Sequence, residues 1–165
     1  MTSDKAYALE ARIAKQVGEG WSIPFDAVKS ATEARTSTTL ADDADLQFTG
    51  VLAGTYMLDL DVVYDGGAGA SEGDFKWGFS FPTGSMDLGG AARLTDQNVH
   101  LIHYDASTSI TVGTNGLNTW LNFNVRGTMI ISASGNVVFR WACGTNTGTR
   151  SDLAVNSRLA LYRRT

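Results

Sequence analysis

Apolar residues fall on every second position through long stretches of this chain, and that period leaves few options for its fold. Tyr56, Leu58, Leu60, Val62 and Tyr64 interleave with Met57, Asp59, Asp61 and Val63. Phe75, Trp77, Phe79 and Phe81 alternate with Lys76, Gly78 and Ser80. Leu121, Phe123 and Val125 lead into Met129 and Ile131, then come Val137, Phe139 and Trp141, and Leu159 and Leu161 close the series. A period of two sends alternate side chains to opposite faces of a strand. Residues 99–104 and 109–112 read as shorter strands. Gly66-Gly67, Gly113 to Gly116, Gly135-Asn136 and Gly144 to Gly148 supply turn chemistry between the runs. The fold predicted is all-β: an antiparallel sandwich or jelly roll of about seven to nine strands. Its core is expected to hold Tyr56, Leu58, Leu60, Phe75, Trp77, Phe79, Phe123, Val125, Phe139, Trp141, Leu159 and Leu161. The segment from Thr83 to Asn98 reads as a long loop.

The first part of the chain has another period. From Ser3 to Val17, Ala6, Leu9, Ile13 and Val17 recur at three- and four-residue spacing, which predicts a short helix. Ser3 or Asp4 caps its start and Gly18 its end. An isolated helix of about 14 residues is marginal in water, so its apolar stripe must dock on something. Trp21-Ser22-Ile23-Pro24-Phe25 reads as an extended arm carrying apolar anchors. The chain therefore divides into a helix and attachment arm, residues 1–34, and a sandwich, residues 35–165. Leu9, Ile13, Val17, Trp21, Ile23 and Phe25 are the candidate partner-binding residues. Trp120, after a Gly-Leu-Asn-Thr turn, is a candidate exposed contact.

Charge excludes some partners. Only 18% of the 165 residues are charged and the net charge is −4, so the chain has no general attraction to phosphate or nucleic acid. No segment approaches the ~20 apolar residues that span a membrane, and the N-terminus lacks a signal-length apolar stretch. A single cysteine, Cys143, forbids an internal disulfide and reads as a small core residue.

Motifs with catalytic overtones resolve into structural ones. Gly69-Ala70-Ser71-Glu72-Gly73 matches the elbow that presents a nucleophilic serine. That elbow needs a helix after the serine, whereas Ser71 is followed by the period-two run from Phe75. Gly67, Gly69 and Gly73 fail as a dinucleotide fingerprint for the same reason. His100 and His103 sit on opposite faces of a strand and have no Cys or Glu-x-x-His nearby, so they read as polar strand residues rather than zinc ligands. Asp59 and Asp61 share a strand face at a spacing seen between glycosidase carboxylates, but adjacent outward aspartates are ordinary on a sheet. The acidic segment from Asp59 to Asp74 contains no compensating Lys or Arg, and its loop from Asp65 to Asp74 matches no EF-hand spacing. No catalytic residue, metal ligand or cofactor is assigned.

The order of several short stretches resembles a family. Arg35-Thr36-Ser37-Thr38-Thr39-Leu40-Ala41-Asp42-Asp43-Ala44-Asp45-Leu46-Gln47-Phe48 precedes Ala53-Gly54-Thr55-Tyr56. Asp74 to Phe79 with Pro82, Arg140-Trp141-Ala142, and Ser157 to Leu161 follow. This order resembles the β-sandwich virion proteins of tailed bacteriophages, found on capsids and tails, and the likeness runs from about Val28 to Arg164. It implies a non-enzymatic structural protein that assembles as a homotrimer in the virion, put together in the bacterial host cytoplasm. The implied partner is the major capsid protein or another virion protein. An anchor-like N-terminus without a fibre shaft sets capsid decoration (a minor capsid role) ahead of the alternative, a tail or fibre module that binds a host-surface glycan.

Because a loop hydroxyl without a base has no chemistry to lose, Ser71→Ala is expected to leave folding and assembly intact. Labelling of Ser71 by a fluorophosphonate would overturn that reading.

Overall fold

The computed structural model describes residues 25–66, 74–93, 99–105, 109–114, 119–144 and 150–164. Among them twelve strands form and no helix does. The strands are β1 (Phe25–Val28), β2 (Glu33–Arg35), β3 (Ala41–Val51), β4 (Gly54–Gly66), β5 (Phe75–Ser80), β6 (Gly84–Arg93), β7 (Val99–Tyr104), β8 (Ile110–Val112), β9 (Leu121–Ile131), β10 (Gly135–Cys143), β11 (Ser151–Leu153) and β12 (Arg158–Arg163). The helix expected over residues 3–17 lies outside the described residues.

Two antiparallel sheets result. In the larger the order is β1-β12-β4-β9-β6-β7, and β11 joins β4 and carries β2 on its far side. The smaller runs β3-β10-β5-β8. The 13-residue β4 anchors the larger sheet. One of its edges pairs along its length with β9. Its other edge is shared: residues 56–61 pair with β12 and residues 64–66 with β11.

The alternation seen in the sequence is what buries the core. Tyr56, Leu58, Leu60, Val62 and Tyr64 of β4 are all at most 1% exposed. They face Phe75, Trp77, Phe139 and Trp141 of the smaller sheet, each fully buried. Rings bridge the layers, with Trp77 stacked on Phe123 at 5.2 Å and Tyr64 against Phe75 at 5.0 Å between centroids. Eleven of the twelve expected core residues are buried, and Phe79 packs against the cluster from a partly exposed position. Cys143 is buried as expected.

The described residues form twelve strands where about seven to nine were expected, and the architecture departs from the sequence reading in three further places. Residues 84–93, expected as loop, form β6, held between β7 and β9. Glycine and alanine dilute its period, yet Met86, Leu88 and Ala92 point into the core. The glycines fit the site, because a Cβ on Gly84 or Gly90 would strike the backbone oxygen of Ile130 or Asn124 on β9. A Cβ on Gly127 of β9 would strike Asp87 in return. Next, β1 and β2 are sheet strands, so the sandwich begins ahead of the boundary drawn at residue 34. β1 pairs with β12 from Phe25↔Leu161 to Val28↔Arg158. Finally, β3 lacks clean alternation because it is bulged: Val138 faces Gln47 while Arg140 faces Asp42, so residues 43–46 oppose a single residue of β10.

The β6–β9 seam tolerates no side chain at Gly127. Gly127→Val is expected to cost at least about 1–3 kcal/mol, the range for overpacking a filled site. A lowered midpoint in urea denaturation checks it, and an unchanged midpoint refutes the account of the seam.

Candidate functional site

Residues of β4, β6, β7, β9 and β12 that do not face the core form the outer surface of the larger sheet. Strand register arranges them in rows. One row crosses Tyr162, Met57, Thr128 and Asp87, the next Ala160, Asp59, Arg126, Gly89 and His103, and the third Arg158, Asp61, Asn124, Ala91 and Leu101. The small side chains at Gly89 and Ala91 lower the surface over β6. Below the first row lies a groove of about 490 Å³ lined by Ser85, Met86, Asp87, His103, Asp105, Thr128 and Ile130.

His103 and Asp87 meet in this groove with Nε2 and Oδ1 2.8 Å apart. A carboxylate only accepts, so Nε2 carries the hydrogen. His103 and Asp87 are 67% and 78% exposed, so water screens the pair. Proton transfer in catalysis draws on dry, pKa-shifting surroundings. A wet carboxylate and imidazole, two hydroxyls and the Ile130 side chain instead suit hydrogen bonding to a hydroxyl-rich ligand with some apolar surface.

A second constellation lies inside. Lys29 follows β1 and is 3% exposed, and Asp43 of β3 is fully buried. Lys29 Nζ donates to Asp43 Oδ2 at 2.9 Å and to Glu33 Oε2 at 2.7 Å, with Asp45 Oδ2 at 3.5 Å. The bulge frees the backbone N–H groups of Asp45 and Leu46 from the ladder, and both donate to Asp43 Oδ1, at 3.0 and 2.9 Å. Trp141 Nε1 donates to Asp43 Oδ2 at 2.9 Å. Arg35 lies over the Trp141 ring at 4.2 Å and donates to the carbonyls of Ala41, Asp42 and Trp141. Burial by itself pushes Lys29 down and Asp43 up. The bond between them, with the further bonds to Glu33, Leu46 and Trp141, reverses both, so Lys29 is held above its ordinary 10.5 and Asp43 below its ordinary 3.8.

The residues singled out from the sequence are dispersed. Leu9, Ile13, Val17, Trp21, Ile23 and Ser71 lie outside the described residues. Phe25 opens β1 at the sheet edge, 38% exposed, with its ring 5.5 Å from Phe48. Trp120 is 45% exposed just before β9 and does not line the groove. Asp59 receives Arg126 Nη2 at 2.6 Å and Asn124 Nδ2 at 3.1 Å, so a cation from β9 compensates the acidic run from across the sheet. Asp65 is buried opposite Asp152 of β11.

Among the described residues no group of three or more His, Cys, Asp or Glu is placed to hold a metal ion. No helix among them is long and apolar enough to cross a membrane. Neither the groove nor the Lys29 cluster was assigned from the sequence. The groove residues lie in β6 and β7, one strand hidden by glycines, and Asp43 sits in a bulge that erases the period. Comparison of the chain with protein families and with curated proteins finds no match.

Proposed function

We propose that this chain is a non-enzymatic structural protein of a tailed-phage virion, a homotrimeric capsid decoration protein attached through the residues that precede its sandwich. The observation that supports this reading is the fixed exit point of the N-terminal segment. β1 is an edge strand, clamped by its pairing with β12 and by Arg158 donating to Asp26 at 2.8 and 3.2 Å. The 24 residues before it, with Leu9, Ile13, Val17, Trp21 and Ile23, therefore join the sandwich at one defined edge. Burying several such side chains at roughly 1.5–3 kcal/mol each is enough to offset ordering an arm on a partner such as the major capsid protein. Leu52, Leu101 and Ile130 add apolar surface for contacts between copies, at 56%, 91% and 44% exposure.

The groove over β6 and β9 favours a second reading, a tail or fibre module that binds a host-surface glycan. Its carboxylates and hydroxyls match the hydrogen-bonding demands of a saccharide.

Deleting residues 1–24, which leaves β1 whole, is expected to yield a folded, trimeric sandwich that no longer joins the particle. Circular dichroism, light scattering and the occupancy of purified virions report the three parts. Full occupancy by the truncated protein would place attachment in the sandwich, and a monomeric full-length chain would refute the trimer.

For the second reading, Asp87→Asn is expected to lower saccharide affinity about tenfold, the worth of one charge-assisted hydrogen bond. An array that detects no saccharide binding by the unaltered chain would refute it.

A further inference from the structure

The buried lysine and aspartate are arranged for more than an ion pair. We propose that the Lys29 amine and the Asp43 carboxyl condense to an amide, cross-linking β3 to the segment between β1 and β2, with Glu33 as the proton carrier.

The two oxygens of Asp43 have different surroundings, and the difference matches what amide formation demands. Oδ1 accepts the backbone N–H groups of Asp45 and Leu46 at 3.0 and 2.9 Å. Two preorganised backbone donors on one oxygen are what stabilises the oxyanion of a tetrahedral intermediate. Oδ2 faces the amine at 2.9 Å and the Trp141 Nε1–H at 2.9 Å, which makes it the oxygen that departs. Glu33 Oε2 lies 2.7 Å from Lys29 Nζ. Arg35 Nε steadies that carboxylate by donating to Oε1 at 2.8 Å.

The reaction balances without any oxidant, reductant or co-reactant. A proton passes from Nζ to Oδ2, converting the ion pair to a neutral amine and acid. Nζ then attacks Cγ of Asp43, and Glu33 takes the second nitrogen proton and delivers it to the departing Oδ2. One C–N bond forms, one C–O bond breaks, and one water leaves.

Two physical factors favour the exchange over the resting ion pair. Holding amine and carboxyl in contact replaces a bimolecular condensation, and well-oriented intramolecular reactions reach effective concentrations of ~10⁵ M or more. Water that would reverse the reaction is excluded, since Lys29 is 3% exposed and Asp43 not at all. Glu33, 36% exposed, gives the product water a route to solvent.

The test is the intact mass of the purified full-length chain, followed by peptide mapping. The unaltered protein is expected to be lighter than its sequence by one water, with residues 16–35 and 36–76 still joined after trypsin, because Lys29 is no longer a cleavage site. Lys29→Arg is expected to restore the full mass. Glu33→Gln keeps both reacting groups and is expected to slow the loss by roughly 10²-fold or more, the usual contribution of a positioned proton carrier. Circular dichroism verifies that this variant is folded. An unaltered chain that stays at full mass after prolonged incubation overturns the proposal. So does a water loss that maps to Asp65-Gly66, where a cyclic imide has the same mass, or a Glu33→Gln variant that loses water as fast as the unaltered chain.

Discussion

Aromatic stacking between the two sheets sets the spacing on which everything else rests. Phe75 lies on Trp141 at 5.4 Å within the smaller sheet, and Trp77 reaches across to Phe123 at 5.2 Å. Rings of this size fill the ~10 Å gap between packed sheets with few rotamers to lose, and offset stacking adds to the gain from burial. With that gap filled, the alternating aliphatic residues of β4, β9 and β12 close around the rings. Shorter strands with weak patterns of their own are then held by pairing and by single anchors, Val112 of β8 and Leu153 of β11 in the core and Arg35 of β2 over Trp141.

The Lys29 cluster obeys different physics. A buried charge pair is a costly device, because desolvation of both partners offsets most of their attraction. Here every oxygen of Asp43 is bonded, and the pair ties the β1–β2 segment to the bulge of β3 and to Trp141 of β10. It fixes where the N-terminal edge of the sandwich lies, which hydrophobic burial, being non-directional, leaves loose. That edge is also where the preceding 24 residues join, so the cluster would position the attachment proposed above.

The outer surface of the larger sheet is where the two functional readings diverge. Its rows mix aspartates, asparagine and arginine with small residues and a few exposed apolar side chains. Arg126 neutralises Asp59 across the strands, so the surface carries less local charge than the acidic run in the sequence implies. A surface of that kind suits contacts between copies of a low-charge protein, while the groove beside it suits a polar ligand. Both belong to the same strands, and the arrangement of β6 against β9 governs both.

Period-two alternation in β4, β5, β9, β10 and β12 was enough to specify the all-β class and the part of the core those strands supply, because each inward side chain must be apolar whatever sheet receives it. Leu46 and Phe48 of β3, Met86 and Leu88 of β6 and Tyr104 of β7, also buried there, were not foreseen. Cys143, Trp77 and Trp141 were legible for the same reason. Strands whose identity depends on their neighbours were not. β6 is a strand because its glycines let the β9 backbone come close, and β3 is bulged because Asp43 turns inward to meet Lys29. Neither cause is local in sequence. The ionic cluster joins residues 14 and 98 positions apart, and the groove joins Asp87 to His103 and Thr128. The chain by itself determined which side chains must leave water. The tertiary structure alone decided which polar groups would meet, since hydrogen bonds and ion pairs depend on distance and direction that only the packed sheets supply.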